Sequence, residues 1–149
     1  MAMFNAYRKA VTVANRHPDA VVLAADTVVA LDSETFGKPK DYDDARRMLQ
    51  SLVGKAHDVI TGVALVTPGR PLLLKEAQSV VKFRPLANAE IDAYLNAIHP
   101  FDKAGGYAAQ DSPDAIIEYV QGSFTNVVGL PMELVLPLLA SVGIHPVAS

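Results

Sequence analysis

The sequence predicts an α/β fold: a mixed, partly antiparallel sheet with flanking helices. Three observations carry this reading. Ala45, Met48, Leu49 and Leu52 repeat at the 0, 3, 4, 7 spacing of one buried helix face. Ile91, Tyr94, Leu95 and Ile98 repeat it. Between them, the apolar runs Val59 to Val66 and Leu72 to Phe83 are separated by Pro68-Gly69-Arg70-Pro71, a turn that makes them an antiparallel pair.

In chain order, the first segment reads as a helix with Phe4, Tyr7, Val11 and Ala14 on its buried face, stopped by His17-Pro18. Ala20 to Ala25 suits a buried strand, and Val28 to Leu31 continues it beyond the polar pair Asp26-Thr27. Gly37 and Pro39 mark Asp32 to Lys40 as a turn or loop. Asp41 to Val53 is the clearest helix, with Asp41 or Asp43 as cap and Gly54 beyond its end. Val59 to Val66, apolar on both faces, is expected at the sheet centre. Ala87 to Ile98 is a second amphipathic helix, and Ala115 to Val120 a further strand. Pro131 to Val142 closes the chain as a helix, with Pro131 in its first turn and Pro137 expected to kink it.

The 149 residues fit one compact domain, and half of them are hydrophobic, enough for a core. A net charge of -3 argues against a general binder of nucleic-acid polymers, which carries a basic excess. It leaves room for a local basic pocket. Cysteine is absent, which removes disulfides, thiolate nucleophiles and cysteine-bound zinc. No apolar run reaches the ~18–20 residues that span a bilayer. Tyr7-Arg8-Lys9 interrupts any signal-peptide core, so the expected location is the cytoplasm, away from membranes.

Four segments place polar residues where a core pattern does not. Asp26 sits at the end of an apolar strand, costly unless it is exposed, hydrogen-bonded or bound to metal; the plain alternative is a cap on a neighbouring turn. Lys38, in Phe36-Gly37-Lys38-Pro39, is either solvated or projects into a pocket; the loop is no Walker A motif. In Phe101 to Gln110, Gly105-Gly106 can bring backbone N–H groups close to an anion beside Lys103 and Gln110, or the stretch is a surface turn with an Asp102–Lys103 pair. Gly122 to Pro131 shapes a pocket wall or caps a helix, and the structural role is preferred. His17, His57, His99 and His145 show no metal-ligand spacing.

Taken in order, Lys9-Ala10, Ala25-Asp26-Thr27-Val28-Val29, Gly37-Lys38-Pro39, His57-Asp58-Val59-Ile60-Thr61-Gly62-Val63, Asp102-Lys103-Ala104-Gly105 and Asn126-Val127-Val128-Gly129-Leu130-Pro131 resemble the Maf (septum formation) family. The match runs from about Asn5 to Leu139; each piece is weak and the ordered set is specific. The resemblance implies a fold like that of the inosine-triphosphate pyrophosphatases, with helices packed around a cleft. It implies hydrolysis of a nucleoside triphosphate to the monophosphate and pyrophosphate with a divalent metal, Mg2+ or Mn2+, in a homodimer. Asp26 matches the family's catalytic aspartate, as metal ligand or base. Lys38 and Lys103 match its phosphate-binding lysines, and Lys9 the lysine of its K-A pair. Thr27 and Gln110 match positions that mark the thymidine/uridine triphosphate branch.

One departure stands out. Family members begin with a strand and an S-x-S-P-R-R loop, and no S-P-R-R occurs in these residues. The expectation is one Maf-like domain over residues 1–149, truncated at its N-terminus and short of several charge-assisted phosphate contacts worth roughly 1.5–3 kcal/mol each. The competing reading is a catalytically weak chain that binds nucleotide or a partner subunit.

Overall fold

A computed structural model describes residues 1–98, 100–107 and 116–147. Helix α1 (Ala2–Arg16) leads into strand β1 (Val22–Leu31), then β2 (Glu34–Phe36) and helix α2 (Tyr42–Leu52). Strands β3 (Ala56–Val66) and β4 (Leu73–Phe83) form the expected hairpin. Helix α3 (Asn88–Ala97), two 3-10 turns (Pro100–Asp102, Ala104–Gly106), β5 (Ile117–Gln121), α4 (Phe124–Val128) and α5 (Met132–Ala140) complete the order. The sheet runs β2-β1-β3-β4-β5, and every described pairing is antiparallel.

Alternation along the strands sorts the core onto two faces. Phe36, Val59, Val81 and Phe83 meet α2 and α3 through Leu49, Leu52, Ile91 and Leu95. On the same side, Val63 and Leu65 meet Val135 and Leu138 of α5. The opposite face carries α1, with Ala6 and Ala10 against Val22 and Ala64. Asp41 caps α2 by accepting the Asp44 N–H at 2.8 Å.

Three expectations change. The buried face of α1 is Ala2, Ala6 and Ala10, while Phe4 and Tyr7 are exposed. The cause is Gly62 on β3: a Cβ built there would lie 2.4 Å from the Ala2 carbonyl carbon and the Met3 nitrogen. A helix backbone that close to the sheet leaves room only for alanines beneath it. Asp32 to Lys40 is not all loop, since Leu31 pairs with Glu34 across a two-residue turn at Asp32-Ser33. Asp32 takes a φ of 55°, which a short polar side chain tolerates. The strand through Asp26 is continuous over ten residues, as the sequence reading has it. At the last helix, Pro131 stands just before the first turn rather than inside it. The expected strand start at Ala115 lies outside the described residues.

Candidate active site

Strand β2 covers only the Val29–Leu31 end of β1, so among the described residues the remaining edge of β1 has no strand partner on that side. A cleft of about 210 Å³ opens there, lined on its walls by Lys9, Asp26, Thr27, Lys38, Asp102 and Lys103. Residues from both faces of β1 reach it because it lies at an open edge. Two adjoining hollows, of about 330 and 470 Å³, also touch Lys9 and Asp26. Asp26 therefore stands where three hollows meet.

Asp26 lies directly across from Gly62 in the β1–β3 register. The same missing Cβ that admits α1 brings two side chains of that helix onto the carboxylate. Lys9 Nζ donates to Asp26 Oδ1 at 2.7 Å and to the Ala25 carbonyl at 3.3 Å. Asn5, one turn earlier on the same face, donates from Nδ2 to Asp26 Oδ2 at 3.0 Å. Both oxygens are thus held. Asp26 is 16% exposed and Lys9 50%, so the acid is the buried member of the pair. Asn5 carries no periodic signal in the sequence; its spacing of four from Lys9 was the one available hint.

Lys38 and Lys103 come from two separate loops. The Gly105 N–H donates to the Gly37 carbonyl at 3.1 Å, which ties those loops together. Gly105 takes a φ of 74°, and a Cβ there would sit 3.1 Å from a Val29 methyl. The Gly106 N–H donates to the Lys103 carbonyl. The sequence left two readings for this stretch: a glycine pair that presents N–H groups to an anion, or a surface turn with an Asp102–Lys103 pair. Both N–H groups are spent inside the protein, and the pair serves close packing. Lys103 Nζ stands 3.8 Å from Asp102 Oδ2, a loose pair at the surface. Lys38 has no hydrogen-bond or ion-pair partner among the described residues.

Tyr107 closes the inner wall. Its hydroxyl shares a 2.9 Å hydrogen bond with His57 Nε2, and both rings meet Phe83 edge-on. Burial pushes the His57 imidazole down to about 4 and the Tyr107 phenol up, so both are neutral at pH 7. Sequence reading set His57 aside for want of ligand spacing; it is a core residue under the site.

The α4 wall combines the two roles left open for Gly122 to Pro131. Val127, Val128 and Gly129 face the cleft. Ser123 caps α4, and Asn126, fully buried, donates to the Val59 carbonyl and Ser79 Oγ. Glu133 of α5 accepts from Ser123 and Thr125, and these hydroxyls hold its carboxyl below the usual range. Thr27 is across from Thr61, with their hydroxyl oxygens 2.9 Å apart. Gln110 lies outside the described residues. No cluster of three or more His, Asp or Glu side chains that would cage a metal occurs among the described residues.

The family model described as Maf-like protein matches residues 1–142. The chain belongs to the Maf family. Within it, the chain is 50% identical over 121 residues to a protein of Thermosipho africanus named dTTP/UTP pyrophosphatase, covering 81% of this chain and 63% of that one. A protein of the same name from Chromobacterium violaceum is 47% identical over 126 residues, covering 85% and 63%. One from Pyrococcus abyssi is 42% identical over 134 residues, covering 90% and 71%. This Maf-family chain thus spans 63% of the length of the first two relatives. No helix among the described residues is long and apolar enough to cross a membrane.

Proposed function

We propose that the cleft hydrolyses a nucleoside triphosphate, of the dTTP/UTP type, to the monophosphate and pyrophosphate. The carrying observation is that Lys9, Lys38 and Lys103 surround Asp26 in one cleft at the open edge of β1. Attack at the α-phosphorus needs cations along the phosphate tail and a held water. Lys38 and Lys103 bind the tail. Lys9, half exposed, passes from Asp26 to a phosphate oxygen as the tail enters, and the Asp26 carboxylate is released for its own role, as metal ligand or base.

A divalent cation, Mg2+ or Mn2+, offsets charge on the phosphates when bound. Magnesium keeps several waters and takes one or two carboxylates plus substrate phosphates. Asp26 and Asp102, both on the cleft wall, suit a cation that arrives with the nucleotide rather than one caged by protein alone. The homodimer and the cytoplasmic location expected from the sequence belong to the same proposal, the first to be read by sedimentation.

The test is pyrophosphate release with magnesium from dTTP, UTP and 7-methylguanosine triphosphate. Release from the first two, with monophosphate as co-product, is the expected result. Lys38→Ala and Lys103→Ala should weaken binding of triphosphates far more than of monophosphates, because the lost partner is the tail. No release and no binding with any nucleoside triphosphate would refute the reading.

A further inference from the structure

The two side chains that hold Asp26 come from one helix and differ in kind. Lys9 reaches Oδ1 with a charged, long and half-exposed arm, at 2.7 Å. Asn5 reaches Oδ2 with a neutral, short one, at 3.0 Å, in a part-buried contact. An ionised carboxylate only accepts, so the end of Asn5 that faces it is the NH2 group. A phosphate tail draws an ammonium strongly, because both partners are charged; it has less hold on a neutral amide. Asn5 also starts from the helix backbone that rests on Gly62, and its short stem gives it little reach beyond Asp26. Once Lys9 has passed to a phosphate, Asn5 is the side chain among the described residues that still holds the carboxylate. Rotation of a carboxylate about its last bond is broad and two-fold, so an untethered Asp26 lets its two oxygens exchange places. With Oδ2 tied to Asn5, Oδ1 is the oxygen that Lys9 uncovers. A neutral tether achieves this without cancelling the negative charge that the chemistry needs.

We propose that Asn5 is a positioning residue: it pins Oδ2 of Asp26, so that Oδ1 is the oxygen that meets the cation or the proton of the attacking water. This rests on the nucleotide reading of the cleft. Asn5 acts through Asp26 and touches no reacting atom. The plain alternative is that Asn5 only fastens α1 to the edge of the sheet, and the test separates the two.

The experiment compares the unaltered protein with Asn5→Leu, which removes the donor at nearly the same size. Asn5→Ala serves in its place should leucine prevent cooperative melting by circular dichroism. The readouts are kcat and KM for dTTP, thermal melting, and calorimetric Mn2+ affinity in the presence of a non-hydrolysable dTTP analogue. Loss of the tether should lower kcat by ~10–100-fold, the usual cost of removing a partner that orients a working ligand. KM should stay within ~2-fold, because Lys38 and Lys103 still hold the tail and the lost interaction serves the chemical step. Where turnover is too slow to compare, Mn2+ affinity in the analogue complex decides on the same scale: a matching loss supports the proposal, and an unchanged affinity overturns it. An unchanged kcat would overturn it as well. So would a fall in kcat that comes with a raised KM and a lower melting temperature, since a displaced α1 carries Lys9 away too and the role is then structural. Binding of no nucleotide by the unaltered protein would remove the proposal together with the functional reading beneath it.

Discussion

Among the described residues, one face of the sheet carries α1, which lies on Gly62 through alanines; on the other, α2, α3 and α4 share a core with large side chains such as Phe36, Leu49, Phe83 and Ile91, and α5 packs on Val63 and Leu65. The thin side contributes little apolar burial, yet it delivers Asn5 and Lys9 onto Asp26. The thick side buries whole aromatic and aliphatic side chains, and its cleft-facing members, Tyr107 and Val127, form the floor and wall. Close approach over small residues positions polar groups; deep burial supplies the rigidity against which they are held.

The sharpest test of this division is to strike each face and read two quantities. Asp26→Asn, on the thin face, should cut turnover by ~10²–10⁴-fold in an active form of the protein while the denaturation midpoint hardly moves. Near-normal kcat would remove Asp26 from the chemistry. Phe83→Ala, on the thick face, should do the reverse, costing about 3–5 kcal/mol in chemical denaturation. A cost below ~1 kcal/mol would show that the core there is not what holds the sheet.

The next effect is pH-dependent. His57 has a folded pKa of about 4 against an unfolded value of 6.5. The unfolded chain binds the proton first, so stability is full above pH 6.5 and falls as pH drops towards 4, by about 3 kcal/mol over that window. His57→Gln should flatten this part of the pH–stability curve; an unchanged slope would locate the acid sensitivity elsewhere. The smallest expected effect is that of Gly62→Ala, at about 1–3 kcal/mol by overpacking. It should nonetheless depress activity, because α1 must move away and carry Lys9 with it. Full activity in that variant would break the link between close approach and the site.

The sequence makes the thick side readable and the thin side obscure, for a physical reason. Met48, Leu49, Leu52, Ile91, Tyr94 and Leu95 are large, so their spacing announces which face is buried, and the helices fall within a residue or two of expectation. Alanine gives little contrast, so the face of α1 was assigned to Phe4 and Tyr7, which the approach to Gly62 leaves in solvent. Strand β2 is too short, and too mixed in character, to show a period of two. The family motifs named Lys9, Asp26, Thr27, Lys38 and Lys103, and these five share a cleft. His57 and Thr61 stand in one of those motifs without a role, and Asn5 stands in none; what each does comes only from what lies across a strand or a helix turn. The glycine pair stayed ambiguous because a flexible backbone can serve an anion or a tight contact, and only the partners of its N–H groups tell which.

The hydrogen bond from Gly105 to Gly37 joins two segments separated by α2, β3, β4 and α3. In engineering terms, those segments are one interchangeable part. A graft that borrows the Lys38 loop from another family member should carry that donor's Lys103 loop as well. A library that randomises one alone will sample mostly mismatched halves, and insertions accepted in either should be accompanied by compensating changes in the other.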